Sequence, residues 1–124
     1  MSGAGAGRSS VGIDLIEIER IERALARRPR LAERLFSPAE LEECGRRARP
    51  GRHLAARFAA KEAAIKALGG GCGPSEIEVE GSEPPTLRLR GRAAARAEER
   101  GVELAVSLTH SHGDAAAVVL ATPR

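Results

Sequence analysis

The stretch HLAARFAAKEAAIKALGGG, residues 53–71, constrains the fold more than any other part of the chain. Alanine is the strongest helix former, and leucine, lysine, arginine and glutamate follow it closely. The spacing predicts a helix over residues 52–68, stopped by Gly69, Gly70 and Gly71. Leu54, Phe58, Ile65 and Leu68 recur at helical intervals and form one apolar stripe, which a core must cover. That core has to be aliphatic, because Phe36 and Phe58 are the only Phe, Tyr or Trp residues in the sequence. Against this background the charges stand out: Arg57, Lys61, Glu62 and Lys66 all lie on the same helix.

The flanking segments predict a mixed architecture. Residues 11–16 form a short apolar run broken by Asp14 and read as a strand. Ile18, Ile21 and Leu25 then take helical spacing, with Glu19, Arg20, Glu22, Arg23 and Arg27 on the other face. SPAELEE from Ser37 begins a second helix: a capping serine, proline at the first helical position and acids in the first turn. That helix should end near Gly45, and residues 46–52, RRARPGR, read as a basic loop. Ile77 and Val79 alternate with acids, and Leu87 and Leu89 with arginines, as in half-exposed strands on either side of a turn at Pro84 and Pro85. Residues 92–100 read as a helix ended by Gly101. Residues 104–109 and 115–121 read as two strands joined near HSHGD in a hairpin. The expected fold is α+β, with a largely antiparallel sheet packed against the long helix. A chain of 124 residues fits one small domain, here residues 11–124 behind a flexible leader of residues 1–10. A domain of this size buries only about two-thirds of its unfolded surface, so association would add to its stability.

The formal charge of +3 favours anionic partners. Base-stacking surfaces need exposed aromatics, which argues against single-stranded nucleic acid. Cys44 and Cys72 lack CxxC spacing and read as unpaired thiols. The N-terminal stretch has no apolar segment of the secretory kind. The longest apolar run, residues 115–121, is far short of the ~20 residues a membrane helix needs. A cytoplasmic protein without membrane or nucleic-acid partners is the expectation.

On the long helix Glu62 lies about 40° and Lys66 about 80° from Phe58, so both flank the apolar stripe. As an i,i+4 pair in the favourable order they could be no more than a border salt bridge. Asp14 offers another possibility. A carboxylate inside VGIDLI is costly to bury without a partner. A strand acid facing a helical acid could hold Mg²⁺ through one or two carboxylates, leaving places for water and phosphate. A turn-capping role for Asp14 is equally open. His110 and His112 could share a strand face and hold a metal, or His110 could donate to a phosphate. The three glycines follow a helix, so they read as a stop and lack the geometry of a P-loop.

Three blocks, GIDLIEIERI from Gly12, ARFAAKEAAIKALGGG from Ala56 and VSLTHSHGDAAAVVLA from Val106, resemble the holo-acyl-carrier-protein synthase family of small 4'-phosphopantetheinyl transferases. The first two match its signatures GxDxxExxR and FxxKEAxxKA. The resemblance implies an enzyme of phosphopantetheinyl-transferase-like fold that moves the phosphopantetheine arm of coenzyme A to a serine of apo acyl carrier protein, releasing adenosine 3',5'-bisphosphate. It assigns Mg²⁺ to Asp14 and Glu62, and catalysis to these two with Lys66. It places Arg49, Arg57, Lys66, Gly69, Gly71 and His110 near coenzyme A, Arg49 by reaching from a neighbouring subunit of a trimer. It gives Arg20, Arg27 and Arg30 to the carrier-protein surface. Two departures touch the coenzyme A contacts. Glu83-Pro84-Pro85 stands where the family usually has Gly-Lys-Pro, and Leu68-Gly69-Gly70-Gly71 replaces its usual Phe-Gly-Thr-Gly.

Overall fold

The structure is a computed structural model that describes residues 8–81 and 83–124; residues 1–7 of the expected leader lie outside the described residues. The elements run β1 (Ser10–Glu17), α1 (Ile18–Arg27), α2 (Leu31–Leu35), α3 (Pro38–Gly45), α4 (Pro50–Ala67), a 3₁₀ turn (Pro74–Glu76), β2 (Ile77–Glu80), β3 (Thr86–Leu89), α5 (Gly91–Arg100), β4 (Val102–Ser111) and β5 (Asp114–Pro123). The α+β class expected from the sequence is what the chain adopts. Its antiparallel pairing is divided between two sheets, one of order β1-β5-β4 and one made of β2 and β3.

The long helix starts at Pro50, two residues earlier than its periodicity indicated. Proline followed by glycine reads as a loop, but proline at the first helical position has no donor to lose and a φ already set for helix. Helix α2, LAERL, has five residues and carries too little periodicity to be read from sequence. Helix α3 begins as expected. Ser37 Oγ accepts from the Glu40 amide at 3.1 Å, and the Glu40 carboxylate accepts from the Ser37 amide at 2.8 Å, a reciprocal cap.

Helix α4 is covered on most of its circumference, and its alanines, more than the Phe58–Ile65 stripe, form the buried surface. Ala55, Ala56, Ala59, Ala60, Ala63, Ala64 and Ala67 are all buried, while Phe58 and Ile65 are half-buried. Small side chains let the strands approach the helix axis. Gly12 on β1 marks the closest point, where an added Cβ would overlap the Ala63 carbonyl and lie 2.9 Å from the Ala67 amide. The start of β1 is fixed there too, by the Ser10 hydroxyl donating to the Ala67 carbonyl at 2.6 Å.

On the other side of α4, Lys61 is buried with Glu40. Their charged atoms are 2.8 Å apart and each side chain is 1% exposed. Lys61 Nζ also donates to the carbonyls of Ile77 at 2.6 Å and Pro74 at 3.2 Å, and Glu40 accepts from the Val79 amide at 2.7 Å. Glu78, expected on an open strand face, is buried instead. The Ser37 hydroxyl donates to it at 2.6 Å and Arg90 pairs with it at 3.1 Å, which meets the requirement of a buried carboxylate for partners. Glu40→Ala should therefore cost about 3–5 kcal/mol, because it strands a buried lysine charge. Replacing the pair with Glu40→Leu and Lys61→Met should recover most of that loss. Urea unfolding of the single and double variants checks both expectations.

Candidate active site

Two polar centres lie along α4, on the side facing β1, α1 and the end of β4. The first is built by Asp14, Glu62 and Lys66. Strand β1 runs antiparallel to β5 with Asp14 opposite Ala117 and Gly12 opposite Val119. The close seat of Gly12 on Ala63 brings Asp14 alongside the next turns of the helix. Lys66 does not pair with Glu62. It crosses to the strand, donating to the Ile13 carbonyl at 2.9 Å and to Asp14 Oδ1 at 3.3 Å. The border salt bridge along the helix is thus replaced by a bridge between helix and strand.

Glu62 accepts no hydrogen bond among the described residues. Burial first, then the neighbouring Asp14 carboxylate, holds its carboxyl above the ordinary range, with Lys66 acting in the opposite direction. Asp14 and Glu62 share a groove of about 470 Å³ with Arg20, Ile16, Phe58 and Leu31. Two carboxylates held near one another at the wall of an open apolar groove suit a hard divalent cation that keeps further positions for water and phosphate oxygen. Arg20 on the exposed side of α1 is brought to the same groove.

The second centre is a pocket of about 270 Å³ where the start of α4 meets the end of β4. Arg57 and His110 line it, joined by Arg47 and His53. Arg57 is 5% exposed, pairs with Glu43 at 3.2 Å, and leaves its Nε without a partner among the described residues. The His53 and His110 rings meet edge to face, with centroids 5.5 Å apart. The signal in sequence for His53 is its place one turn before Arg57 on the same helix. His112 does not share a strand face with His110. It sits in the hairpin turn with φ of 53°, and no cluster of three or more His, Cys, Asp or Glu suited to a metal occurs among the described residues.

The remaining candidates lie elsewhere on the chain. Arg49 is held away from the second pocket by a two-pronged bond to Glu22, with distances of 3.0 and 2.9 Å. Gly69, Gly70 and Gly71 all take positive φ between 78° and 84°, the left-handed region glycine supplies without strain. Arg96 closes over them, donating to the Leu68 carbonyl at 2.9 Å and approaching that of Gly69 at 3.4 Å. Arg27 and Arg30 are exposed, and Arg30 shares a groove at the α1–α2 turn with Arg28 and Arg34, two arginines the sequence reading had not singled out.

Because Asp14 helps hold the Glu62 proton, Asp14→Asn should move the Glu62 titration to lower pH while leaving the burial effect in place. Carbon-detected NMR titration of the Glu62 carboxyl would measure this. An unmoved titration would mean that the two carboxylates do not interact.

Residues 10–120 match the family described as the 4'-phosphopantetheinyl transferase superfamily. The chain is 53% identical over 115 residues to the holo-[acyl-carrier-protein] synthase of Moorella thermoacetica, covering 88% of this chain and 90% of that protein. It is 52% identical over 116 residues to that of Streptomyces griseus, covering 90% and 95%. Among solved structures it is similar to the Chronobacterium ammoniagenes ACPS-CoA complex, at a TM-score of 0.83 and 34% identity over 94% of this chain and 98% of that one. It is also similar to the Mycobacterium tuberculosis acyl carrier protein synthase, at a TM-score of 0.73 and 35% identity over 93% and 97%. With nearly the whole folded chain matched in sequence and in structure, the protein belongs to the 4'-phosphopantetheinyl transferase superfamily.

Proposed function

We propose that the protein is a holo-acyl-carrier-protein synthase, transferring 4'-phosphopantetheine from coenzyme A to a serine hydroxyl of apo acyl carrier protein with release of adenosine 3',5'-bisphosphate. The observation that carries this reading is the juxtaposition of Asp14 and Glu62 at the wall of a groove, with Lys66 bonded to Asp14, in a chain whose relatives carry that name. Asp14 and Glu62 would hold Mg²⁺, which supplies charge neutralisation at a pyrophosphate when bound. Lys66 faces the same centre and adds a fixed positive charge where the leaving phosphate carries its growing negative charge. The apolar groove floor at Phe58 and Leu31 limits water around the reacting groups. Arg57 and His110 in the second pocket hold the nucleotide end, and the glycines at 69 and 71, beneath Arg96, end the helix just after Lys66. Positioning of this kind is the main requirement of phosphoryl transfer, where the protein has little covalent chemistry to do.

Acyl carrier proteins are acidic, and Arg20, Arg27 and Arg30 present exposed positive charge from the groove outward along α1 and the α1–α2 turn. Such charges act mainly by steering the encounter. No helix among the described residues is long and apolar enough to cross a membrane. The test is mass spectrometry of an apo carrier protein incubated with the enzyme, coenzyme A and Mg²⁺, which should gain the phosphopantetheine mass. Asp14→Ala or Glu62→Ala should slow this by about 10²–10³-fold, with circular dichroism unchanged, and EDTA should reproduce the loss. Full activity in either variant would remove the metal assignment.

A trimer is part of the same reading. Val11, Ile13 and Leu15 alternate along β1 and are 61%, 67% and 70% exposed. Leu120 and Val118 stand directly opposite Val11 and Ile13 on β5, so all five share the outer face of the sheet. A contiguous apolar face of this kind marks an association surface. Arg49, held by Glu22 away from its own second pocket, would leave that carboxylate to reach a neighbour's. Sedimentation should give about three chains per particle, and Ile13→Glu with Val118→Glu should yield monomers with sharply reduced transfer. A fully active monomer would refute the shared site.

A further inference from the structure

Every ionisable side chain lining the second pocket is a base: Arg47 from the α3–α4 loop, His53 and Arg57 from α4, and His110 from β4. Arg52, on the same helix as His53, adds to the positive field around that imidazole. Glu43, the carboxylate that meets Arg57, stands on α3 and is not part of the lining. Burial, followed by the charges of Arg47, His110, Arg52 and Arg57, keeps the His53 ring below its ordinary titration range and therefore neutral in the empty pocket. The pocket thus concentrates positive charge while holding one more base in reserve, and the buried Arg57 Nε remains without a partner among the described residues.

We propose that His53 is a further nucleotide-holding residue: the 3'-phosphate of coenzyme A sits between His53, Arg57 and His110, and its binding draws a proton onto His53. This rests on the coenzyme A reading above. Coenzyme A carries two separate anionic groups, its pyrophosphate and its 3'-phosphate, and the chain offers two polar centres on one helix. Glu62 lies nine positions after His53, about 13 Å along the helix axis. With the pyrophosphate at Asp14, Glu62 and Lys66, the basic pocket is left for the 3'-phosphate. A dianion reverses the sign of the local field, and an opposite charge at close range raises an imidazole by about 1–3 pH units. The proton comes from buffer to the free ring nitrogen of His53, and no bond in coenzyme A changes.

Isothermal titration calorimetry of the full chain with coenzyme A and Mg²⁺, in buffers of different ionisation enthalpy at about pH 7.5, counts the protons exchanged. At that pH a phosphate monoester, whose second pKa is about 6, is already dianionic. The dependence of heat on buffer should show a net uptake of protons on binding. Dephospho-coenzyme A, which lacks the 3'-phosphate, should bind without uptake, and His53→Gln should bind coenzyme A with the uptake lost. Binding with no uptake, equal uptake with dephospho-coenzyme A, or unchanged uptake in His53→Gln would each overturn the proposal and leave the coenzyme A reading standing. Absence of coenzyme A binding in every buffer would overturn both.

Discussion

Lys61 and Glu40 meet in the interior at 2.8 Å, and the arrangement of the other elements is built around that contact. The lysine reaches from the middle of α4 to the backbone of β2, while the carboxylate closes the cap of α3 and accepts the Val79 amide. Phe36 covers the ammonium, its ring centroid 5.5 Å from Nζ. Burying two charges costs far more than an exposed pair gains, so such a contact persists only when every remaining donor and acceptor is met. Burial pushes the Lys61 ammonium toward release of its proton, and the bond to Glu40 opposes that push. Helix α3 and strand β2, more than thirty residues apart, are thereby locked to one side of a single helix.

That fixed helix then serves as a ruler for the site. Lys61 and Glu62 are neighbours in sequence, and the 100° step of the helix sends one inward and the other toward β1. The inward residue holds the second sheet and α3; the outward one faces Asp14. Gly12 completes the arrangement, since only a residue without Cβ lets β1 approach Ala63 closely enough to place Asp14 beside the same helical turns. The Lys66 bridge to Asp14 and the Ile13 carbonyl ties strand and helix at that point. Stability and site geometry therefore share one contact surface, and a change at Gly12 would disturb both.

The outer surfaces divide by chemistry. The free face of the three-stranded sheet carries aliphatic side chains in register across β1 and β5, while α1 and the α1–α2 turn carry arginine. Apolar area favours lasting association, and exposed charge favours fast, salt-sensitive encounter. A protein that assembles with itself and meets an acidic partner transiently would separate these two properties in this way. The scarcity of aromatic residues has its counterpart inside, where alanine against strand replaces the usual bulky packing.

The sequence alone determined the elements whose signals are local. The capping box at Ser37, the alanine-rich helix stopped by glycines and the hairpin around His112 and Gly113 each follow from interactions within a few residues. The motif acids Asp14 and Glu62 could be named from spacing and resemblance, as could the family. Only the tertiary structure decided what those residues face. Lys66 turned from Glu62 to Asp14 because β1 packs within its reach. Glu78 turned inward because Ser37 and Arg90 met it, and Lys61 became a core residue because α3 and β2 supplied its partners. His53 and Arg57 joined His110, more than fifty positions away, through the meeting of α4 with β4. Contacts of that range depend on how whole elements pack, and neither periodicity nor local propensity records which side chains packing will bring together.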